Sequence, residues 1–355
     1  MAAPTTDSFM YQTMHRQPAD LRRLNAEGWD AARDAAGRLA DARRVYVVGI
    51  GTSYHAALMG GWLLRAAGAD ALAVSSFDFA NYPESFPLGA EDAVIVMAHS
   101  GVKTFSMRSM LRAAEADATV VSVGSLTAEH PGSQLVLRTV EREKSAAFTA
   151  SHLAAMTVLA QVATELGEHR GAAGVAGLRE AIGALPDQVA DILARESDVE
   201  PLSQAAVAQR IYATGAGPSE IAAIEAVIKV REAAYGWIDA LPLEQFLHGP
   251  MVAVNAGDLA AVVHVPGAGA ARTGEVAQVL HAMGAQVWVI GEPVAALPDV
   301  TTFATPRTLE LLSPLLTTVP FQILAYQMAV AKGLNPDTFR RDNPTYAAAF
   351  GLLKL

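Results

Sequence analysis

The stretch VYVVGIGTSYHAA (Val45 to Ala57) is nearly repeated later in the chain as IYATGAGPSEIAA (Ile211 to Ala223). Each copy has the pattern of a buried strand that runs into a glycine-containing turn and then a helix. Two further pairs match in the same order and at almost the same offset: EDAVIVMAHSG with GDLAAVVHVPG, and ATVVSVG with AQVWVIG. The sequence therefore predicts an α/β protein with two copies of one doubly wound parallel sheet flanked by helices.

Composition limits the function classes that this chain can serve. Its 355 residues are 52% hydrophobic and 17% charged, which is enough to bury two cores. The formal net charge of −10 argues against nucleic acid as a partner, because phosphate backbones recruit basic surfaces. Cysteine is absent, which excludes disulfides, thiolate zinc sites and a cysteine nucleophile. Every long apolar stretch is interrupted before it could span a membrane, so we expect a cytoplasmic protein without a membrane partner.

Helical segments are expected outside the two copies and at the end of each. A helical lead-in runs from Phe9 to Leu39, and Pro18 predicts a break in it. The segment SAAFTASHLAAMTVLAQVATEL predicts a long helix that closes the first copy, and residues 172–200 form a helical bridge with a break at Pro186. Gly333 is expected to cap the last helix of the second copy, and the apolar tail after it should pack against the protein.

Two ligand-side turns of the first copy carry donors that suit a phosphate group. One turn contains Thr52 and Ser53, and the other contains Ser100, Lys103 and Thr104. Ligands of open α/β sheets bind beyond the carboxyl ends of the strands, where helix-start amides, hydroxyls and a lysine can hold a phosphate. The corresponding turns of the second copy lack most of these donors. The alternative is that these hydroxyls only cap helices.

A dinucleotide site is a competing interpretation of the first turn. Gly49-Ile50-Gly51 begins the glycine fingerprint of such sites, but Thr-Ser-Tyr follows and the third glycine is missing. A Walker lysine motif is also absent from the sequence. Both observations disfavour a nucleotide.

The second copy holds ionisable residues that the first copy lacks. Glu225, Lys229 and Glu232 are spaced to share one face of a helix. This spacing fits an ordinary solvated ion-pair ladder, and it also fits a partly desolvated carboxylate beside a lysine that acts as a general base. The loop His248-Gly249-Pro250 follows, and its histidine is either structural or a proton-transfer group.

Four segments together resemble the double sugar isomerase (SIS) domain family, in particular the isomerase half of glucosamine-6-phosphate synthases. They are GTSYHAA, the HSG turn, EAVIKVRE with the HGP loop, and FQILAYQMAVAKGLNPD. The similarity covers essentially residues 9–350. It implies two tandem SIS domains: residues 1–190 with the helical lead-in and the phosphate site, and residues 191–355 with the catalytic helix, the histidine loop and the tail.

The resemblance implies a role for each candidate residue. Glu232 matches the carboxylate that moves a proton between C1 and C2 of the sugar, and Lys229 matches the lysine beside it. His248 matches a ring-opening histidine that reaches across a dimer interface, which implies a homodimer. The residues at or beside the phosphate-holding positions of the family are Thr52, Ser53, Ser100, Lys103, Thr104, Ser145 and Thr149.

Two departures from the synthase pattern narrow the expected reaction. The sequence shows no glutaminase segment and no cysteine, so we expect no ammonia from glutamine. Ala349 stands where the synthases have a Schiff-base lysine, and Lys354 lies five residues further on. Amino transfer through an imine with the enzyme is therefore disfavoured, whereas deprotonation at C1 or C2 is not.

The expected reaction is isomerisation of a phosphorylated amino sugar from aldose to ketose with release of ammonia, as a glucosamine-6-phosphate deaminase performs. It needs no metal or redox cofactor. A simple ketose–aldose isomerase and a fructosamine-6-phosphate deglycase would use the same base and stay open as alternatives. A non-catalytic sugar-phosphate sensor also stays open, although the spacing of the Glu and His residues favours an enzyme.

Overall fold

The chain is described by a computed structural model over residues 7–353. The strands are β1 (Val45–Gly49), β2 (Ala71–Ser75), β3 (Ala93–Met97), β4 (Thr119–Gly124), β5 (Leu135–Arg138), β6 (Ile211–Gly215), β7 (Ile238–Pro242), β8 (Leu259–His264), β9 (Gln286–Gly291) and β10 (Thr301–Ala304). The helices are α1 (Phe9–Glu27), α2 (Trp29–Leu39), α3 (Thr52–Ala66), α4 (Ser76–Asn81), α5 (Thr104–Glu115), α6 (Ala150–Arg170), α7 (Leu178–Leu193), α8 (Glu200–Ala206), α9 (Glu220–Ala234), α10 (Leu243–Leu247), α11 (Ala270–Ala282), α12 (Ser313–Ala331) and α13 (Pro344–Phe350).

The strands form two five-stranded parallel sheets of the same topology. The first has the order β2-β1-β3-β4-β5, and the second has the order β7-β6-β8-β9-β10. The three repeated stretches fall on β1 and β6, on β3 and β8, and on β4 and β9. The prediction of two copies of a doubly wound α/β unit is confirmed.

The structure divides the chain into two compact units. The first-sheet unit comprises Arg16–Glu143, Thr149–Pro186 and Thr345–Leu355, as far as these residues are described. The second-sheet unit comprises the described part of Met1–His15 together with Lys144–Phe148 and Asp187–Pro344. It thus includes residues 7–15 and a short segment before α6. The linear domain boundary between residues 190 and 191 stays a prediction.

Each sheet is buried on both faces, as parallel sheets require. In the first-sheet unit, Tyr46, Val94 and Val96 face a cluster that contains Met110 of α5. On the opposite face α3 approaches closely, because a Cβ at Gly60 would lie only 3.2 Å from Val47 Cγ1. In the second-sheet unit, α9 packs against α12, and a separate cluster under α10 and α11 contains Tyr212, Phe246, Val262 and Leu280.

The predicted helix breaks at Pro18 and Pro186 are wrong. Both prolines lie inside continuous helices, α1 and α7, and the chain interrupts its lead-in at Gly28 instead. In α7 the residues Ile182, Leu185, Val189 and Ile192 are all fully buried, so one apolar stripe continues past the proline. Burial of such a stripe outweighs the ~3 kcal/mol that an interior proline costs.

The predicted helix ends agree better with the structure than the predicted proline breaks do. Gly171 and Gly333 have positive φ values of 64° and 63° and terminate α6 and α12 as expected. The long helix α6 begins at Ala150, later than the apolar pattern from Ser145 indicates. The predicted packing of the tail is confirmed only in its first part, where Pro336 is buried and the Asp337 carboxylate accepts hydrogen bonds from the amides of Phe9 and Met10. The tail helix α13 buries none of its side chains. Within residues 7–353, no helix is long and apolar enough to cross a membrane.

Candidate functional site

Hydroxyl groups lie at the carboxyl ends of two adjacent strands in the first-sheet unit. β1 and β3 are hydrogen-bonded and parallel, so the turns that follow them emerge at the same edge of the sheet. Gly51, with φ of 58°, turns the chain at the end of β1, and Thr52 and Ser53 are the first residues of α3. Both side chains are half-buried. The positive end of α3 and two hydroxyls therefore face this edge.

The turn after β3 brings a second set of donors to the same edge. Ser100 lies in this turn, Lys103 precedes α5 directly, and Thr104 is the first residue of that helix. Ser100 and Thr104 are half-buried, whereas Lys103 is exposed. Among residues 7–353, nothing is hydrogen-bonded or ion-paired to the side chains of Ser53, Ser100, Lys103 or Thr104. An anion at this edge could thus be bound by hydroxyls, amides and an ammonium group.

One histidine, His99, belongs to the turn after β3, and a second, His130, packs against this turn. The ring of His130 contacts Ser122 Oγ at 2.6 Å and the carbonyl oxygen of Ala98 at 2.9 Å. Burial lowers the pKa of His130, and burial also lowers the pKa of His99 although the Glu143 carboxylate opposes this shift. Both rings are therefore held neutral beside the turn that carries Ser100.

These histidines predict a loss of stability in acid. Each has a folded-state pKa below its ordinary value of 6.5, so the unfolded chain binds more protons and stability falls as the pH drops below about 6.5. His130→Gln should make the unfolding midpoint less dependent on pH between pH 7 and 5. Denaturant melts of both proteins across this range measure the effect. An unchanged slope in His130→Gln would contradict it, with exposed His281→Gln as the control.

Ser145 and Thr149, the other two predicted phosphate-side residues, are buried and engaged within the protein. Ser145 belongs to the second-sheet unit, and its Oγ accepts a hydrogen bond from the amide of Ala147 at 3.2 Å. Thr149 belongs to the first-sheet unit, and its hydroxyl donates to Glu143 Oε2 at 3.3 Å. Their role toward a phosphate stays a prediction.

Sequence analysis missed Glu143, which organises the start of α6. Its carboxylate accepts hydrogen bonds from the amides of Thr149 at 3.0 Å and Ser151 at 2.8 Å. The side chain is 6% exposed, so these amides satisfy a buried negative charge at the positive end of the helix. A cap from outside the helix follows no short sequence pattern, and no signal in the sequence pointed to it.

In the second-sheet unit, helix α9 holds a buried charge cluster. Lys229 Nζ lies 2.9 Å from Glu232 Oε2 and 3.5 Å from Glu225 Oε1. The side chains of Lys229 and Glu225 are 1% and 0% exposed, whereas that of Glu232 is 23% exposed. The interpretation as a solvated ion-pair ladder is therefore wrong, because a buried lysine lies between two carboxylates and only Glu232 reaches the surface.

This arrangement can support proton transfer. Glu232 is accessible enough to meet a substrate, and its neighbour Lys229 is held in place by the buried Glu225. A carboxylate that faces an ammonium group in a poorly solvated site can accept a proton, and the ammonium group can stabilise negative charge that develops on a bound substrate. The pair thus has the parts of a general base and an electrostatic stabiliser.

His248 lies in a loop of the second-sheet unit. It follows α10, and the next residue, Gly249, has φ of 126°, which favours glycine. Its side chain is 78% exposed, and Nε2 lies 3.4 Å from Glu244 Oε2. Arg272 donates to the same carboxylate at 2.7 Å, and this hydrogen bond lowers the pKa of Glu244. Within the described chain, no hydrogen bond or ion pair joins His248 to Glu232 or Lys229.

Two residues of the tail bear on whether the enzyme could form an imine with its substrate. Ala349 lies in α13, and Lys354 lies outside the described residues. Across residues 7–353, the His, Asp and Glu side chains form no group of three that could hold a metal ion. Each unit therefore has its own candidate functional region: the hydroxyl-rich edge in the first-sheet unit, and the charge cluster on α9 in the second-sheet unit, whose loop after α10 also carries the exposed His248.

Comparisons with known proteins agree with this fold. The family model described as "SIS domain" matches residues 38–165. The glutamine–fructose-6-phosphate aminotransferase (isomerizing) of Gloeobacter violaceus is 29% identical over 356 residues, which cover 93% of this chain and 57% of the relative. The chain thus spans little more than half the length of this curated relative.

Two solved structures share the fold at low sequence identity. The C-terminal domain of glucosamine-fructose-6-phosphate aminotransferase from Francisella tularensis has a TM-score of 0.84 at 16% identity, covering 93% of this chain and 98% of that one. A glucosamine-6-phosphate deaminase from Thermotoga maritima has a TM-score of 0.73 at 19% identity, covering 93% and 97%. At these identities the likeness establishes the fold alone.

Proposed function

Because this chain belongs to the SIS domain family, we propose that it is an enzyme that isomerises a phosphorylated sugar. The favoured substrate is a 2-amino-2-deoxyhexose 6-phosphate, which is converted with water into a ketose 6-phosphate and ammonia. The observation that carries the proposal is the cluster on α9, in which buried Lys229 contacts the partly exposed Glu232 at 2.9 Å. The aminotransferase relative and the deaminase of the same fold, both named for reactions of sugar phosphates, support this substrate class.

We assign four tasks in this reaction to the candidate residues. Thr52, Ser53, Ser100 and Thr104 bind the phosphate with Lys103 adding charge, and His248 assists ring opening. Glu232 removes the proton from C2 of the open-chain 2-amino aldehyde, which gives an enolamine, and returns a proton to C1. The oxygen at C1 gains a proton and the nitrogen at C2 loses one, so the product is an imine at C2 with a hydroxyl group at C1. Water then adds at C2 and ammonia leaves, which balances the reaction. Lys229 stabilises the negative charge that develops during proton transfer.

Ammonia release tests the favoured reaction against its alternatives. Purified protein is incubated with glucosamine 6-phosphate, and ammonia and fructose 6-phosphate are measured in parallel, with N-acetylglucosamine 6-phosphate as the control. Equal formation of both products supports a deaminase. Interconversion of a ketose and an aldose phosphate without ammonia indicates a simple isomerase, and cleavage of a fructosamine 6-phosphate indicates a deglycase. If the protein binds these sugars but converts none of them, the result would contradict the proposed enzyme and favour a sugar-phosphate sensor.

The phosphate assignment predicts a selective loss of substrate binding. Ser100→Ala and Thr104→Ala each remove a hydroxyl that no described residue engages, so folding should be unaffected. Each should raise KM by ~10-fold or more, because a hydrogen bond to a charged group contributes ~1.5–3 kcal/mol, while kcat changes less. Steady-state kinetics with exposed Thr127→Ala as the control measure this. An unchanged KM in both variants would show that the substrate phosphate does not bind at this edge.

We further propose that the active form is a cytoplasmic homodimer in which His248 serves the partner's active site. The 78% exposure of His248 is compatible with this role, which rests on the family resemblance. Glu232→Gln and His248→Ala should each be inactive alone, yet an equal mixture unfolded and refolded together should recover about a quarter of wild-type activity, because half the dimers gain one complete site. No recovery in a mixture shown to contain mixed dimers would place His248 in its own subunit's site.

A further inference from the structure

The second sheet has a ligand-side edge that corresponds to the proposed phosphate edge of the first. β6 and β8 are parallel neighbours, so the turns after them emerge together as those after β1 and β3 do. The turn after β6 is Gly217–Ser219, and the turn after β8 comprises residues 265–269, with the sequence VPGAG. Residues 265–269 carry no side-chain donor, in contrast to Ser100 and Thr104 in the first copy.

A carboxylate lies between these two turns. Glu310 begins the short 3₁₀ turn Glu310–Leu312 directly before α12, and its Oε2 accepts a hydrogen bond from the amide of Ala268 at 3.2 Å. A Cβ placed on Gly267 would lie 2.1 Å from Glu310 Cδ and 2.4 Å from both carboxylate oxygens. A Cβ on Gly217 would lie 4.0 Å from Oε1. The carboxylate thus fills the space above both glycines.

Buried hydroxyls fix the backbone that carries this side chain. Ser313 Oγ donates to the carbonyl oxygen of Glu310 at 2.7 Å and lies 3.2 Å from Ser219 Oγ. Ser219 and Ser313 are 1% and 2% exposed, so this connection is shielded from water. Glu310 thereby connects three segments: the turn after β6, the turn after β8 and the start of α12.

We propose that the Glu310 carboxylate occupies the anion position of the second copy and so confines the substrate phosphate to the first. An anion beside helix-start amides is stabilised whether it is a carboxylate or a phosphate. Glu310 would keep a phosphate from the second edge in two ways. Its side chain fills the space, and its negative charge repels the phosphate. Glu310 is therefore a specificity-determining residue, and this role rests on the proposed function only for the assignment of the phosphate to the first copy.

Replacement of Glu310 tests the proposal with inorganic phosphate as the probe. Glu310→Ala should lower Tm by roughly 2–4 °C in chloride buffer, since an anionic cap is lost. Phosphate at matched ionic strength should restore Tm saturably, and calorimetric titration should show one more phosphate site per chain than in the wild type. Glu310→Gln should show no added site, because its amide still fills the space. Glu275→Ala, an exposed carboxylate, controls for the general stabilisation of proteins by phosphate.

The outcomes separate this proposal from the proposed function. In a Ser100→Ala/Thr104→Ala/Glu310→Ala variant the added site should persist while the first site is weakened. If Glu310→Ala folds but gains no saturable phosphate response beyond that of Glu275→Ala, the proposal is overturned, whatever the first edge binds. If Glu310→Ala does not fold, Glu310→Ser takes its place, and the same absence of an added site overturns it. If the added site appears but the Ser100→Ala and Thr104→Ala changes leave all other phosphate binding unchanged, the result counts against the proposed function and not against this proposal.

Discussion

Glu232→Gln is expected to lower kcat by ~10²- to 10⁴-fold, the contribution that a positioned general base makes to proton transfer. The amide keeps the shape of the side chain and still accepts a hydrogen bond from Lys229 Nζ, which lies 2.9 Å from Glu232 Oε2. It cannot accept the C2 proton. Turnover should therefore fall while the affinity for the phosphosugar stays close to that of the wild type. Steady-state kinetics combined with calorimetric binding measure both quantities.

A matched control separates loss of the base from loss of any surface carboxylate. Glu275 on α11 is 60% exposed and pairs with Arg272, so Glu275→Gln should leave kcat and affinity unchanged. If Glu232→Gln retained wild-type turnover, the role of this cluster in proton transfer would be wrong. If it lost both turnover and binding, Glu232 would be a binding residue rather than the base.

The second large effect concerns stability rather than turnover. Lys229→Met should reduce the free energy of unfolding by ~3–5 kcal/mol, because it leaves the fully buried Glu225 carboxylate without its cation. The methionine fills a similar volume, so lost packing adds little. Denaturant unfolding of wild type and variant at one pH measures the change.

The double variant Glu225→Gln/Lys229→Met tests whether the uncompensated charge is the cause. It should be more stable than Lys229→Met alone, since the buried carboxylate is gone, and the interaction follows from the double-mutant cycle. Lys103→Met, at an exposed lysine, should change stability by less than about 0.5 kcal/mol. A double variant no more stable than Lys229→Met would mean that the loss arises from packing.

The strands and their turns could be predicted from sequence because their signals are local. The matches on β1 and β6 put a buried apolar run next to a turn glycine, and the structure has both Gly51 and Gly217 at positive φ. The helix breaks predicted at Pro18 and Pro186 were wrong because they rested on the local rule that proline interrupts a helix. Whether these helices continue depends on the burial of their apolar faces in the tertiary structure. The period of a helix alone could not show that these stripes continue past the prolines.

The candidate functional residues, too, could be predicted from the sequence only in part. Spacing placed Glu225, Lys229 and Glu232 on one helix face, but the same spacing suits exposed and buried helices, and only the packing of α9 shows which applies. Glu143 and Glu310 act on amides that no short motif links to them, so sequence analysis could not find either one. His248 was singled out from its His-Gly-Pro loop, but only the family resemblance implied a ring-opening role for this exposed side chain.

Exchange of the sugar's carbon-bound hydrogen with solvent tests the central claim most directly. In the proposed mechanism, both the deaminase and the isomerase reaction pass a proton between C1 and C2 through Glu232, so the test does not depend on which of these two operates. Wild-type protein in D₂O with fructose 6-phosphate, and separately with glucosamine 6-phosphate, should place deuterium at C1 of the recovered ketose, as followed by NMR, and Glu232→Gln should not. Binding of both sugars by the wild-type protein without any deuterium incorporation would contradict the account.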